Sequence, residues 1–124
     1  ETPTLFIDAI KDALLPHIEQ YGKDQINGVG IGAPNANYYS GNIELAANLK
    51  WKGTIPLRQL AEKAFDLPVT VTNDANATAI GGMIYGSAKG MKDFLIITLG
   101  TGVGSGFIAN GQLIYGHDGF AGEL

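Results

Sequence analysis

Three stretches of this chain bring together groups that could do chemistry. The first is Val69 to Asn76, VTVTNDAN, where four β-branched residues end abruptly at Asn73 and Asp74 before an alanine-rich run. That order reads as strand, polar turn and helix. In an open α/β sheet, side chains at the carboxyl end of a strand face whatever is bound there. An aspartate at a helix start sits where the helix dipole favours a carboxylate, and it could accept a proton from a hydroxyl group; the neighbouring amide could hold a second hydroxyl. The same two residues would also serve as plain helix caps, and the stretch alone does not separate the roles.

The second stretch is Gly100 to Gly106, GTGVGSG. It lacks the glycine spacing and following helix of a dinucleotide fingerprint, and the Gly-Lys-Ser/Thr of a P-loop. A glycine turn between strands can still cradle phosphate, because consecutive N–H groups form a concave anion site and Thr101 adds a hydroxyl. A tight turn that needs positive φ is the competing explanation. The third stretch, Gly116 to Leu124, GHDGFAGEL, sets Asp118 and Glu123 among glycines. Carboxylates and amides suit polyol recognition, since each bonds directionally to hydroxyls. A positioned carboxylate, donors around phosphate and a magnesium ion are most of what phosphoryl transfer asks of a protein.

The elements that must position these groups follow from periodicity. Thr2-Pro3 is a cap and first helical residue, and Phe6, Ile7, Ile10, Leu14, Ile18 and Tyr21 recur at helical spacing up to Gly22. Pro16 inside this pattern predicts a kink or a division. His17 has no acidic or histidine partner at ligand spacing and reads as a surface residue. Ile26 to Gly32 reads as a buried strand whose glycines let something pack closely. Ser40-Gly41-Asn42 suggests a hairpin tip in a long loop carrying Tyr38, Tyr39 and Trp51, rings that could serve function or simple packing. A helix over 56–65 precedes the Val69 to Thr72 strand, and a second one over 75–85 is built from small residues that allow a close neighbour. Strand, helix, strand and helix in this order predict parallel strands. Beyond about 90–92 the pattern becomes an antiparallel meander: Phe94 to Leu99, Ser105 to Ala109, an Asn110-Gly111 hairpin, and Gln112 to Tyr115.

Composition limits the function. A chain of 124 residues has one modest core. A formal charge of -4 gives no basic footprint for nucleic acid. The absence of cysteine excludes disulfides and cysteine-ligated zinc within this sequence and fits a reducing, cytoplasmic setting. The apolar runs are strand-sized, far short of the roughly 20 residues that cross a bilayer, so no membrane association is expected. Glycine is the outlier at 18 residues, concentrated after Gly81, so the second half holds much backbone that must turn sharply or approach something closely.

LGTGVGSGFIANGQLIYG followed by DGFAGEL, together with VTNDANA, GIGAPNA and the NLKW segment, resembles the ROK family of bacterial sugar kinases and repressors, most of all its glucokinases. The resemblance covers essentially the whole chain in order. It implies an α/β fold of the actin-like, ribonuclease-H-like ATPase class. Residues 1–91 would be the C-terminal part of the first, sugar-binding domain, and residues 92–124 the opening β-meander of the second, ATP-binding domain. It implies phosphorylation of the 6-hydroxyl of glucose or a related hexose by ATP with Mg2+. A sugar-responsive repressor and an N-acylated hexosamine kinase are the alternatives. By the same resemblance Asp74 is the catalytic base, Asn73 and Glu123 bind sugar hydroxyls, Asn48 with Gly32, Ala33 and Pro34 line the sugar cleft, and Gly100, Thr101 and Gly102 face ATP. None of these residues is a metal ligand.

The family opens with an Asp-x-Gly-Gly-Thr phosphate hairpin, carries a structural zinc on cysteines, and has a sugar- and zinc-binding histidine after the Gly-Glu that Gly122-Glu123 matches. None of these lies in this sequence, so the resemblance predicts an internal fragment that is inactive by itself. The strand over 26–32 is then expected to have an unpaired edge, covered by homo-oligomerisation. Nucleic acid would be a partner only in a repressor.

Overall fold

The computed structural model describes residues 2–44 and 49–123. Helix α1, Pro3–Tyr21, starts as the sequence predicts: the Thr2 hydroxyl accepts from the Leu5 N–H at 3.3 Å and Pro3 takes the first turn. It ends at Gly22, whose φ of +85° suits a residue without Cβ. Pro16 does not divide it. Pro16 is exposed, so the carbonyl that loses its donor there can turn to water. A single 3-10 turn, Lys23–Gln25, then leads to strand β1, Val29–Gly32. This strand is shorter than the predicted 26–32, because the Ile26 N–H is spent closing the turn onto Lys23.

Strand β2, Val69–Thr72, pairs with β1 in parallel, Ile31 opposite Val71, as the alternation of elements requires. Helix α2, Leu57–Phe65, lies between them in sequence and turns Leu57, Ala61 and Phe65 inward. These residues form the core with Ile7 of α1 and Val69 and Val71 of β2. Between β1 and α2 the chain makes the expected hairpin tip: the Gly41 N–H bonds the Asn37 carbonyl, and Ala36 bridges Ile43. Among the described residues no strand lies on the other edge of β1. An apolar groove of about 490 Å3 runs along it, with Phe6, Ile10, Ile31 and Trp51 in its walls. Phe6 meets Trp51 edge-on at 5.3 Å, so the tryptophan has a packing role.

The second sheet is an antiparallel meander of β3, Phe94–Leu99, β4, Val103–Ala109, and β5, Gln112–Leu113. Asn110 and Gly111 both adopt positive φ, the geometry of a two-residue hairpin. Strand β4 starts at Val103 rather than Ser105, since Val103 is already paired with Leu99.

Helix α3, Asp74–Ile84, packs against both sheets. Its alanines meet glycines on either side. A Cβ placed on Gly32 of β1 would lie 2.9 Å from the Ala77 Cβ, and one on Gly106 of β4 would lie 2.7 Å from the Ala79 Cβ. A Cβ on Gly104 would be 3.0 Å from that of Ala75. Backbone therefore approaches helix more closely than any larger residue would allow. Gly30, by contrast, has open space around it, so the close packing expected of the whole glycine-rich strand holds only at its ends. No described helix is long and apolar enough to cross a membrane.

Candidate functional site

Strand β2 ends and α3 begins at Asn73 and Asp74, and the geometry divides the two roles left open by the sequence. Asn73 is the cap: its Oδ1 accepts from the N–H of Ala75 at 2.8 Å and of Asn76 at 3.4 Å. Asp74 is the first helical residue, exposed, with one carboxylate oxygen 2.9 Å from the Ala75 N–H. Capping by Asn73 leaves the carboxylate of Asp74 at the mouth of a cleft.

That cleft, about 680 Å3, runs between the two sheets. On one wall stand Pro34, Asn35, Asn73, Asp74 and Thr78; on the other are Thr98, the turn Gly100 to Gly102, and Glu123. The two walls are joined by a hydrogen bond from the Asn73 Nδ2 to the Glu123 Oε1 at 2.8 Å. Asn73 thus spends its acceptor on the helix and one of its two N–H donors on the carboxylate, which leaves the second N–H for a ligand. The Glu123 oxygens and the Asp74 carboxylate all face a space large enough for a small polyol.

The Gly100–Gly102 turn lies on the opposite wall of this cleft. Neither glycine has positive φ, and a Cβ on either would meet no described atom within 4 Å. Backbone conformation and protein packing therefore give no reason for glycine at these positions. The turn lines the cleft with open space beside both glycines.

The loop that delivers Glu123 is fastened from below. Tyr115 stacks on Tyr38 with centroids 4.1 Å apart and planes inclined by 17°. The Tyr39 hydroxyl donates to the Gly116 carbonyl at 3.1 Å, and the Asn37 amide donates to the Asp118 carbonyl at 2.8 Å. Burial, and next to it the Tyr38 phenol, push the Tyr115 pKa above its ordinary value. Tyr38 and Tyr39 therefore pack against the last loop and position it.

Other predicted positions fall differently. Pro34 lines the cleft, whereas Gly32 faces α3 and Ala33 lines the apolar groove and packs against the core. Asn48 lies outside the described residues. Asp118 pairs with His117 at 2.5 Å on an exposed stretch away from the cleft. Asn35, Thr78 and Thr98 line the cleft without having been singled out. Thr98 and Asn35 carry the signal that could have found them, a polar residue at or just beyond the carboxyl end of a strand.

Comparison with known proteins places this geometry. The sequence profile of the ROK family matches residues 1–124. A glucokinase of Halalkalibacterium halodurans is 42% identical over 122 residues, 98% of this chain and 36% of that protein. A xylose repressor of Caldicellulosiruptor bescii is 41% identical over 100 residues, 80% of this chain and 25% of that protein. The crystal structure of a ROK family glucokinase from Streptomyces griseus in complex with glucose and AMPPNP superposes with a TM-score of 0.80 at 37% identity, over 94% of this chain and 36% of that one. The chain thus spans about a third of the length of these glucokinases and carries the corresponding part of their actin-like ATPase fold. With its Asn73–Glu123 pair, its glycine turn and its alanine-lined helix, the chain belongs to the ROK family.

Proposed function

We propose that this chain carries the sugar-activating part of a site that phosphorylates the 6-hydroxyl of glucose or a related hexose with ATP. The observation that carries the reading is the Asn73–Glu123 hydrogen bond, which sets a sugar-sized group of acceptors beside Asp74 and across from the glycine turn. Asn73 and Glu123 bind hydroxyls of the hexose, and Pro34 with Asn35 shapes the wall beside them. Asp74 takes the proton of the 6-hydroxyl as its oxygen attacks the γ-phosphorus of ATP. The Gly100 N–H is spent on the Gly102 carbonyl, so the N–H groups of Thr101 and Gly102 and the Thr101 hydroxyl face the phosphates, and the bond to the leaving diphosphate breaks.

The described residues include no group of three or more acidic, histidine or cysteine side chains able to hold a metal. The donors present fit the nucleotide's phosphates, which with water would carry the magnesium ion. That ion supplies charge neutralisation on the phosphates. The zinc of the family would rest on residues outside this sequence. In this reading residues 1–91 belong to the sugar side and 92–124 to the nucleotide side, with α3 between them. In the same reading the whole protein works in the cytoplasm as a homo-oligomer, which would cover the open edge of β1.

The test uses the full-length protein and a coupled ATP assay over a panel of hexoses that includes N-acylated hexosamines. Asp74→Asn is expected to lower kcat by about 100- to 10,000-fold while hexose binding persists. Unchanged turnover would remove Asp74 from the chemistry. The similarity to a xylose repressor supports a second reading, in which the same cleft binds sugar to control DNA contact. Hexose binding without ATP-dependent turnover in the full-length wild type would favour it.

A further inference from the structure

Glu123 reaches Asn73 from a loop of glycines, which by themselves give a carboxylate little reason to stay in place. The contacts of Tyr38, Tyr39 and Asn37 fasten the loop further back; its end, next to Glu123, is held by Ser105. This side chain is buried, with 2% of its surface exposed, and its hydroxyl donates to the Gly122 carbonyl at 2.6 Å. On either side of it, Gly104 and Gly106 press β4 against α3. Gly104 also forms an isolated antiparallel bridge with Glu123, so this residue is held against β4 at a second point. Gly122 fits there at a φ of +100°, with room for no side chain: an added Cβ would lie 2.5 Å from the Ser105 carbonyl oxygen. The opposite face of the site depends on the same strand, since β4 starts at Val103, immediately after the Gly100 to Gly102 turn.

We propose that Ser105 is a positioning residue which, through the Gly122 carbonyl, clips the Glu123 carboxylate to the strand that leaves the glycine turn. The hexose carboxylate and the phosphate-facing turn then form one piece, and hexose specificity depends on a hydroxyl that touches no substrate. This inference rests on the proposed role of Glu123 in binding hexose.

The experiment is a double-mutant cycle in the full-length protein, read by calorimetric hexose binding and by steady-state kinetics. Ser105→Ala is expected to weaken hexose binding by about three- to tenfold, the range for losing one hydrogen bond, and to raise the hexose KM more than it lowers kcat. Because Ser105 acts through Glu123, adding Ser105→Ala to Glu123→Ala should change hexose affinity less than twofold further. Ser105→Cys, similar in size and a weak donor, should fall between wild type and Ser105→Ala, and serves as the probe if the alanine variant does not fold. Unchanged affinity in these variants would overturn the inference, as would effects that multiply in the double variant. Equal losses in hexose KM, ATP KM and melting temperature would also overturn it, since they would mark Ser105 as packing alone. If the wild type binds no hexose, the functional reading fails together with the inference. Hexose binding that is indifferent to Ser105 overturns the inference and leaves the functional reading standing.

Discussion

Replacing Asn73 by aspartate separates the two jobs of this residue. Aspartate caps a helix about as well as asparagine, so the acceptor bonds to Ala75 and Asn76 survive and α3 should keep its stability. The donor is lost, and a carboxylate oxygen replaces an amide nitrogen that stood 2.8 Å from the Glu123 carboxylate. Two unit charges at that separation repel by about 1.5 kcal/mol in bulk water and about 6 kcal/mol at an effective dielectric constant of 20. Glu123 is exposed, which favours the lower figure, and its side chain relieves the repulsion by swinging away. Either way, the carboxylate leaves the position that faces the hexose. The hexose Kd of the full-length Asn73→Asp protein at pH 8 is expected to rise about 10- to 100-fold, one to two steps of 1.4 kcal/mol, with the melting temperature nearly unchanged. Wild-type affinity at pH 8 would refute the reasoning. So would a fall in melting temperature as large as that of Asn73→Ala, which removes the cap as well.

Three further outcomes can be measured. Gly102→Ala has room for its methyl and no positive φ to oppose it, so thermal stability should hold while the ATP KM of the full-length protein rises. Gly106→Ala drives a methyl to 2.7 Å from the Ala79 Cβ, and should cost about 1–3 kcal/mol in denaturant unfolding. Tyr115 ionises above the ordinary phenol value of 10.0 in the folded chain, so the folded state releases this proton later than the unfolded state. Stability should accordingly decline as pH rises past 10.0, and Tyr115→Phe should lessen that decline in alkaline unfolding curves.

Local signals were enough for the elements whose ends are marked by their own residues. Thr2, Gly22 and the Asn110-Gly111 pair act within a few positions of themselves, and each does what its chemistry predicts. Strand ends were less legible, because pairing decides them: Val103 joins β4 only since Leu99 lies opposite, and β5 stops at Leu113, short of the predicted Tyr115. Pro16 misled for a similar reason, as its effect on α1 depends on an exposure that helical periodicity does not report. At the site, Asp74 and the glycine turn could be picked out as residue types at strand ends. The division of labour between Asn73 and Asp74 could not, since it depends on which side chain turns back over the helix. The bond between Asn73 and Glu123 was also invisible, because it joins residues 50 positions apart. Gly104 reads as a turn residue in sequence and Gly106 as part of a strand, and only the approach of α3 shows that both serve packing.

That separation of 50 residues bears on the order in which the chain folds. The Asn73–Glu123 bond closes a loop containing all of α3 and the entire meander, and a contact across such a loop forms only when its closure entropy, which grows with the logarithm of its length, has been met. The cleft takes one wall from each sheet, so neither an unfolded chain nor one with only its first sheet formed presents it. A hexose that binds there recognises only the finished state. At 100 times its Kd it would add about 2.7 kcal/mol to the unfolding free energy, making protection from unfolding a direct readout of a completed site.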